Sequence, residues 1–186
     1  MARKTKQNQI PSGIVRRLRP SELGLFRDHL MRLDAESRRD RFNGAANDAF
    51  LAQYAARSFR DGATVIGYVE DGRVLGAAEL HEQAELDPPT AEIAFSVERP
   101  LQHRGLGSEL FKRLIAHARA LGYMHLRVTT HPNNRAMRVL AQKFNALLSF
   151  AEGEATGVIA LEQAPIGGEE LAGIFPDPGA IHRPSA

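Results

Sequence analysis

Two glycines, Gly105 and Gly107, stand one residue apart where a strand-like run gives way to a long helical period. That junction constrains the chain more than any other feature. Before it, Ala91-Glu92-Ile93-Ala94-Phe95-Ser96-Val97 reads as a strand, followed by a short polar connection carrying Pro100. After it, Leu106, Leu110, Phe111, Leu114, Ile115, Ala118 and Leu121 recur at helical spacing, while Glu109, Lys112, Arg113 and Arg119 fill the other face. Gly122 follows where a C-terminal cap glycine belongs. Glycine at the junction permits backbone angles and close approaches that a Cβ forbids. The unpaired N–H groups of a helix's first turn, with the positive end of its dipole, then make an anion site. The implied occupant is a phosphate-bearing ligand.

Three phosphate-cradling patterns compete for Gln102-His103-Arg104-Gly105-Leu106-Gly107-Ser108. A Walker A loop needs Gly-Lys-Ser/Thr, and Gly107 is followed by Ser108-Glu109. The dinucleotide fingerprint needs a third small residue, and Leu110 occupies that position. What fits is Gln-x-x-Gly-x-Gly, the pyrophosphate loop of the GNAT acetyltransferase superfamily. The surroundings strengthen the resemblance. The run from Ala91 to Val97 resembles that family's fourth strand. His131-Pro132-Asn133-Asn134-Arg135-Ala136-Met137 resembles the Asn-x-x-Ala/Met start of its next helix. In outline the likeness extends from Ile14 to Glu162. It implies one α/β (α+β) domain over 14–162: a mixed, mostly antiparallel sheet splayed between strands four and five, flanked by about four helices.

The bulk properties set limits. The 186 residues are one domain's worth, enough to bury about 70% of the unfolded surface in one core. No stretch approaches the roughly 20 apolar residues of a membrane span. The first residues are basic (Arg3, Lys4, Lys6) and lack an apolar h-region, so no secretory signal and no membrane association are expected. The absence of cysteine excludes disulfides, thiolate metal sites and a cysteine nucleophile, and suits the cytoplasm. A net charge of +2 gives no argument for nucleic acid.

In chain order, residues 1–13 read as a flexible basic tail. Ile14 to Leu18 is a first strand, and Pro20-Ser21 opens a helix with Leu23, Phe26, Leu30 and Leu33 on one face. Ser37-Arg38-Arg39-Asp40-Arg41-Phe42 is a charged run whose arginines either steer an anionic acceptor or form a solvated face. Phe50 to Phe59 suggests another helix. Ala63 to Val69 and Arg73 to Leu80 form a hairpin across Glu70-Asp71-Gly72. Met124 to Thr130 is a strand, Asn134 to Phe144 a helix, and Leu147 to Ala151 with Thr156 to Leu161 a last hairpin. The 163–186 tail is rich in Pro and Gly; Leu171, Ile174 and Phe175 are apolar enough to dock on the domain or on a second subunit, which leaves a homodimer open.

The resemblance implies an acetyl-CoA-dependent N-acetyltransferase acting on a primary amine, a protein lysine or a small polar amine. The backbone from Arg104 through Gly105, Leu106 and Gly107 to Ser108 then holds the pyrophosphate, with Gln102 and the Arg104 side chain beside it. Phe95 and Val97 line the pantetheine arm, Val97 N–H being the oxyanion donor. Asn134 either reaches the cofactor or caps its helix. A lysine-type ammonium has a pKa of about 10.4, so roughly one amine in two thousand is free at neutral pH. A base is therefore needed. Glu92, a lone carboxylate in an apolar strand, is the candidate, against the alternative of a solvent-facing strand-end glutamate; His81 and Glu79 rank second. No partner histidines stand at ligand spacing, so no metal is expected. One departure stands out: Ala141 occupies the position where many family members carry a thiolate-protonating tyrosine. A non-catalytic acyl-CoA-binding module of the same fold is the alternative reading.

Overall fold

A computed structural model describes residues 13–161. The expectations for the two tails, the docking of Leu171, Ile174 and Phe175 among them, lie outside the described residues. One seven-stranded sheet has the order β1-β2-β3-β4-β5-β7-β6. The strands are β1 (Ile14–Arg17), β2 (Ala63–Glu70), β3 (Arg73–Gln83), β4 (Thr90–Val97), β5 (His125–Thr130), β6 (Leu147–Ala151) and β7 (Glu154–Ala160). Every neighbouring pair is antiparallel except β4 with β5. That parallel pair requires a crossover, supplied by α4 (Leu106–Ala120).

Two hairpin turns fix the register of the outer pairs. Asp71 and Gly72 both take left-handed backbone angles, φ 48° and 71°, as do Glu152 and Gly153, φ 50° and 79°. Two consecutive positive φ values match the right-handed twist of the flanking strands. The second turn is tighter than the sequence suggests, so β7 begins at Glu154 rather than Thr156.

Helices cover both faces. Against one lies α4, whose Leu106, Leu110, Phe111 and Leu114 pack on Ile66, Ala78, Leu80, Ile93 and Leu126. The helix α5 (Arg135–Lys143) adds Met137 and Ala141 to that core. Against the other face lie α1 (Leu23–Arg32) and α3 (Asp48–Arg57), which bury Phe26, Leu30, Leu51 and Ala55 on Val65, Val74 and Ala77. Alternation along each strand assigns the faces: Ile66 and Ala78 turn to α4, Val65 and Ala77 to α1.

The helices number five among the described residues, where about four are expected. The additional one is α2 (Ala35–Phe42), the charged run after Leu33. It has no apolar stripe and no fully buried residue, which is why hydrophobic period does not reveal it. Local bonds hold it instead. Asp34 caps its start by accepting from Ser37 N–H at 2.9 Å. Arg38 donates to the carbonyls of Leu33 and Met31 and to Asp48. No helix among the described residues is long and apolar enough to cross a membrane.

Candidate active site

The sheet opens in its middle. Pairing of β4 with β5 runs only through Thr90–His125, Ala91–Leu126 and Glu92–Arg127. Beyond Glu92 the two strands diverge, and β4 continues to Val97 against β3 alone. Glu98 N–H reaches back to the Leu75 carbonyl at 3.0 Å, so by alternation Val97 and Phe95 direct their N–H groups away from β3, into the opening. The Val97 carbonyl points the same way and accepts from the Gln102 side-chain amide at 2.9 Å. Phe95 stacks on Phe111 of α4 with ring centroids 4.7 Å apart. The end of β4 is thus fixed from both sides, and along one edge its backbone donors have no partner among the described residues.

At one end of this opening lies the glycine loop. A short 3-10 turn (Arg99–Leu101) buries Leu101 and ends at Gln102. The side chains of this turn tie it to α2: Arg99 Nε donates to Asp34 at 3.0 Å and Gln102 Nε2 to Ser37 Oγ at 3.2 Å. His103 and Gly105 take left-handed angles, φ 58° and 87°, and α4 starts at Leu106. Among the described residues, the N–H groups from His103 to Gly107 donate to no protein acceptor. The Ser108 N–H differs: it folds back on the Gly105 carbonyl at 3.0 Å. Arg104 is exposed. Gly107 is helical, and a Cβ there would meet Leu140 of α5 at 3.4 Å, an ordinary contact. The glycine there relieves no clash and needs no left-handed angle.

Two side chains lie near the loop: Lys143, which the sequence does not single out, and Asn134, which takes the capping role, one of the two expected of it. Lys143, in the last turn of α5, donates to Ser108 Oγ at 2.9 Å and brings a cation to the loop. Asn134 caps α5 by accepting from Met137 N–H at 2.9 Å. Its amide hydrogens go to Thr130 Oγ1 at 2.9 Å and the Asp40 carbonyl at 3.3 Å. Both are committed, so Asn134 positions the wall rather than offering a donor.

At the other end is a cleft of about 390 Å³ lined from both faces of the sheet, as an opened sheet requires. Arg41, Tyr54, Arg57, His81 and Glu92 come from the α2–α3 side, and Phe95, Val128 and Met137 from the α4–α5 side. Glu92 is half-buried on the α2–α3 face. His81 lies directly opposite it across the β3–β4 ladder.

Glu79 is not a candidate for the same task. Its side chain is 0% exposed and pairs with Arg41 Nη2 at 2.6 Å. It also accepts from Tyr54 Oη at 2.9 Å and Ser58 Oγ at 3.0 Å, and His81 Nε2 lies 3.3 Å away. Burial alone would raise its pKa, but the Arg41 charge and the bond to His81 outweigh that and hold it at about 2. The same pair raises the Arg41 pKa further. Burial, then Glu79, raises that of Tyr54, which stays a phenol.

This overturns the solvated-face reading of the charged run for two of its three arginines. Arg41 is inside, sandwiched near the rings of Phe42 and Tyr54 at 4.7 and 5.1 Å. Arg38 is spent on carbonyls. Only Arg39 stands exposed. The cationic head at the cleft mouth is Arg57 of α3, over the Tyr54 ring at 6.0 Å, and no spacing in the sequence pointed to it.

Below β4 a second buried network braces the opening. His29 of α1 is fully buried between Ser96 Oγ at 2.9 Å and Glu98 Oε1 at 3.1 Å. Arg32 completes it by bonding Glu98 at 3.0 Å. Ala141 is 1% exposed in the core beside α4, so α5 supplies no hydroxyl here.

Solved structures share the fold. The GNAT domain of Streptomyces lividans PAT has the same fold, with a TM-score of 0.72 at 19% identity, over 80% of this chain and 90% of that one. The protein yncA from Salmonella typhimurium, solved with its cofactor acetyl-CoA, gives 0.61 at 21% identity over 82% and 96%. RimL, a ribosomal L7/L12 alpha-N-protein acetyltransferase in complex with coenzyme A, gives 0.61 at 11% over 83% and 97%. The model of the acetyltransferase (GNAT) family matches residues 27–146, a span holding the charged helix, the opened strand pair and the glycine loop. The chain therefore belongs to the GNAT family of acetyltransferases.

Proposed function

We propose that this protein transfers an acetyl group from acetyl-CoA to a primary amine by direct attack. The observation that carries the reading is the sheet opening itself. It joins a loop whose N–H groups are free among the described residues to a cleft holding Glu92, a carboxylate without an ion-pair partner among those residues. The loop suits a pyrophosphate: N–H groups from His103 to Gly107, the α4 dipole, and Lys143 and Arg104 as cations. Phe95 and Val97 present the edge along which a pantetheine amide finds backbone partners. The Val97 N–H stabilises the oxyanion, worth about 3–4 kcal/mol in comparable sites.

Glu92 takes the proton of the acceptor ammonium, the amine attacks the thioester carbon, and the carbon–sulfur bond breaks. The products are an N-acetylated amine and coenzyme A, whose thiolate is protonated by water. No α5 hydroxyl is needed, since a thiolate is a good leaving group. The amine class covers a protein lysine and a small polar amine, and Arg57 at the mouth favours an acceptor that also carries a carboxylate. A cytoplasmic setting suits a cysteine-free chain that uses acetyl-CoA.

Thiol release from acetyl-CoA across a panel of lysine peptides and small amines tests this. Amine-dependent release supports it. Tight acetyl-CoA binding without release would favour a cofactor-sensing module, the reading that Ala141 at the tyrosine position supports.

A further inference from the structure

We propose that His81, oriented by the buried carboxylate of Glu79, presents an unprotonated Nδ1 to the acceptor cleft and receives the proton that Glu92 takes from the amine. The proposal rests on the amine-acetylation reading above and deepens it.

The tautomer follows from the hydrogen bonds around the ring. His81 Nε2 is 3.3 Å from Glu79 Oε2 and 3.3 Å from Tyr54 Oη. Glu79 is ionised and offers only acceptor oxygens. Tyr54 Oη spends its hydrogen on Glu79 at 2.9 Å and accepts from Arg41 Nη2. The partners of Nε2 therefore call for a hydrogen on that nitrogen. In a neutral imidazole the lone pair then sits on Nδ1. Among the described residues Nδ1 has no protein partner, and His81 lines the cleft with its side chain 28% exposed.

The geometry toward Glu92 is set by the sheet. His81 and Glu92 are directly opposite on the same face of the β3–β4 ladder. Glu98 N–H and Glu92 N–H share parity and point to β3, so this is a hydrogen-bonded pair with Cα atoms about 5.5 Å apart. A carboxylate and an imidazole so placed are within reach of each other, directly or through one water. The groups facing His81 are Glu79 on its own strand, Glu92 on β4, Tyr54 and Arg57 on α3, and Asp40 and Arg41 on α2. Glu79 is shared between Arg41 and His81, and the ionised Glu92 supplies the second negative charge facing the ring once its proton has moved there.

The proton balance is simple. The ammonium gives one proton to the Glu92 carboxylate, the carboxyl hands it to Nδ1, and Glu79 steadies the resulting imidazolium. Solvent at the mouth collects the proton, and Glu92 is ionised again for the next turnover. Glu79 is a positioning residue, because it acts only through His81.

The test combines a spectroscopic and a kinetic readout on the whole chain. Long-range proton–nitrogen NMR, with His81→Asn assigning the signal, should show the ring protonated at Nε2 and bare at Nδ1. A ring protonated at Nδ1 overturns the proposal whatever the activity. With a working amine acceptor, His81→Asn should lower kcat at least tenfold, leave acetyl-CoA affinity unchanged by calorimetry, and change the shape of the acid limb of the pH profile. Unchanged kcat and an unchanged profile in an active enzyme overturn the relay alone. A wild-type chain that binds acetyl-CoA yet acetylates no amine overturns the proposed function and the relay with it. Tyr54→Phe, which keeps the Glu79–Arg41 pair, should preserve the tautomer, and its loss would assign ring orientation to Tyr54 instead.

Discussion

Glu79 and Arg41 meet at 2.6 Å with their side chains 0% and 10% exposed, joining β3 to α2 behind the cleft. A buried ion pair contributes little net stability, because desolvation offsets the attraction. Breaking it from one side is a different matter. Arg41→Met leaves a carboxylate in the core and should cost about 3–5 kcal/mol in urea unfolding. The double variant Arg41→Met/Glu79→Gln should recover part of that loss. The pair also sets a pH dependence. Glu79 has its folded pKa at about 2, against about 4.3 unfolded. Its contribution is complete above the unfolded value and is lost as pH falls toward 2. If Arg41→Met matched wild type in stability, the buried pair would not be closed in solution.

The glycine loop gives a cleaner separation of fold from binding. Gly105 has φ 87°, where any side chain is strained, so its substitution mixes folding with function. Gly107 is helical, and its added methyl meets Leu140 at a normal distance. Gly107→Ala should therefore leave the melting temperature level or slightly raised, since alanine is the better helix former by about 1 kcal/mol. Acetyl-CoA affinity measured by calorimetry should still fall tenfold or more. Unchanged affinity would remove the phosphate site from this loop.

How much of this was legible in the sequence depended on what held each part together. The strands, α4, the hairpin at Asp71-Gly72 and the glycine loop before α4 follow from hydrophobic period and from glycine, both local signals. Glu92 was visible as a charge within an apolar strand. The helix α2 was not, because its residues bond to carbonyls and caps rather than to the core. Arg41 read as one of a solvated run, since nothing local says that Glu79, far along the chain, lies behind it. Tyr54 falls within the helix expected from Phe50 to Phe59, and nothing local marks Arg57. Lys143 and Ser108 meet only because α5 packs on the first turn of α4. Pairings between distant elements carry the site, and composition does not encode them.

Glu92 carries the sharpest kinetic expectation. Glu92→Gln keeps the shape of the side chain and removes its basicity. The kcat for amine acetylation should drop about 10²–10⁴-fold, the usual range for a general base. Acetyl-CoA affinity should hold, because Glu92 lies at the end of the opening away from the glycine loop. A full-rate Gln variant would leave deprotonation to His81 or to bulk water.

His29 supplies a test of the fold that does not depend on catalysis. It is fully buried, and burial pushes its pKa below the ordinary value, with Glu98 opposing in part. Its Nδ1 faces Glu98, whose carboxyl is held low by His29 and Arg32 against its own desolvation. Nδ1 therefore carries the hydrogen, and Nε2 accepts from the Ser96 hydroxyl. The ring is neutral in the folded chain. Above about pH 6.5, the unfolded value, it is neutral in both states and its contribution is complete. As pH falls below that value, the unfolded chain binds a proton that the folded chain refuses. Stability then drops by up to about 1.4 kcal/mol per pH unit until the folded pKa is reached. His117, also lowered by burial, adds a slope of its own. The contribution of His29 is therefore the difference between wild type and His29→Gln. Urea midpoints measured from about pH 8 down to about pH 5.5, across the unfolded value of about 6.5, should fall more steeply for wild type. Parallel slopes would mean that His29 takes up its proton within the fold, with Glu98 compensating the charge.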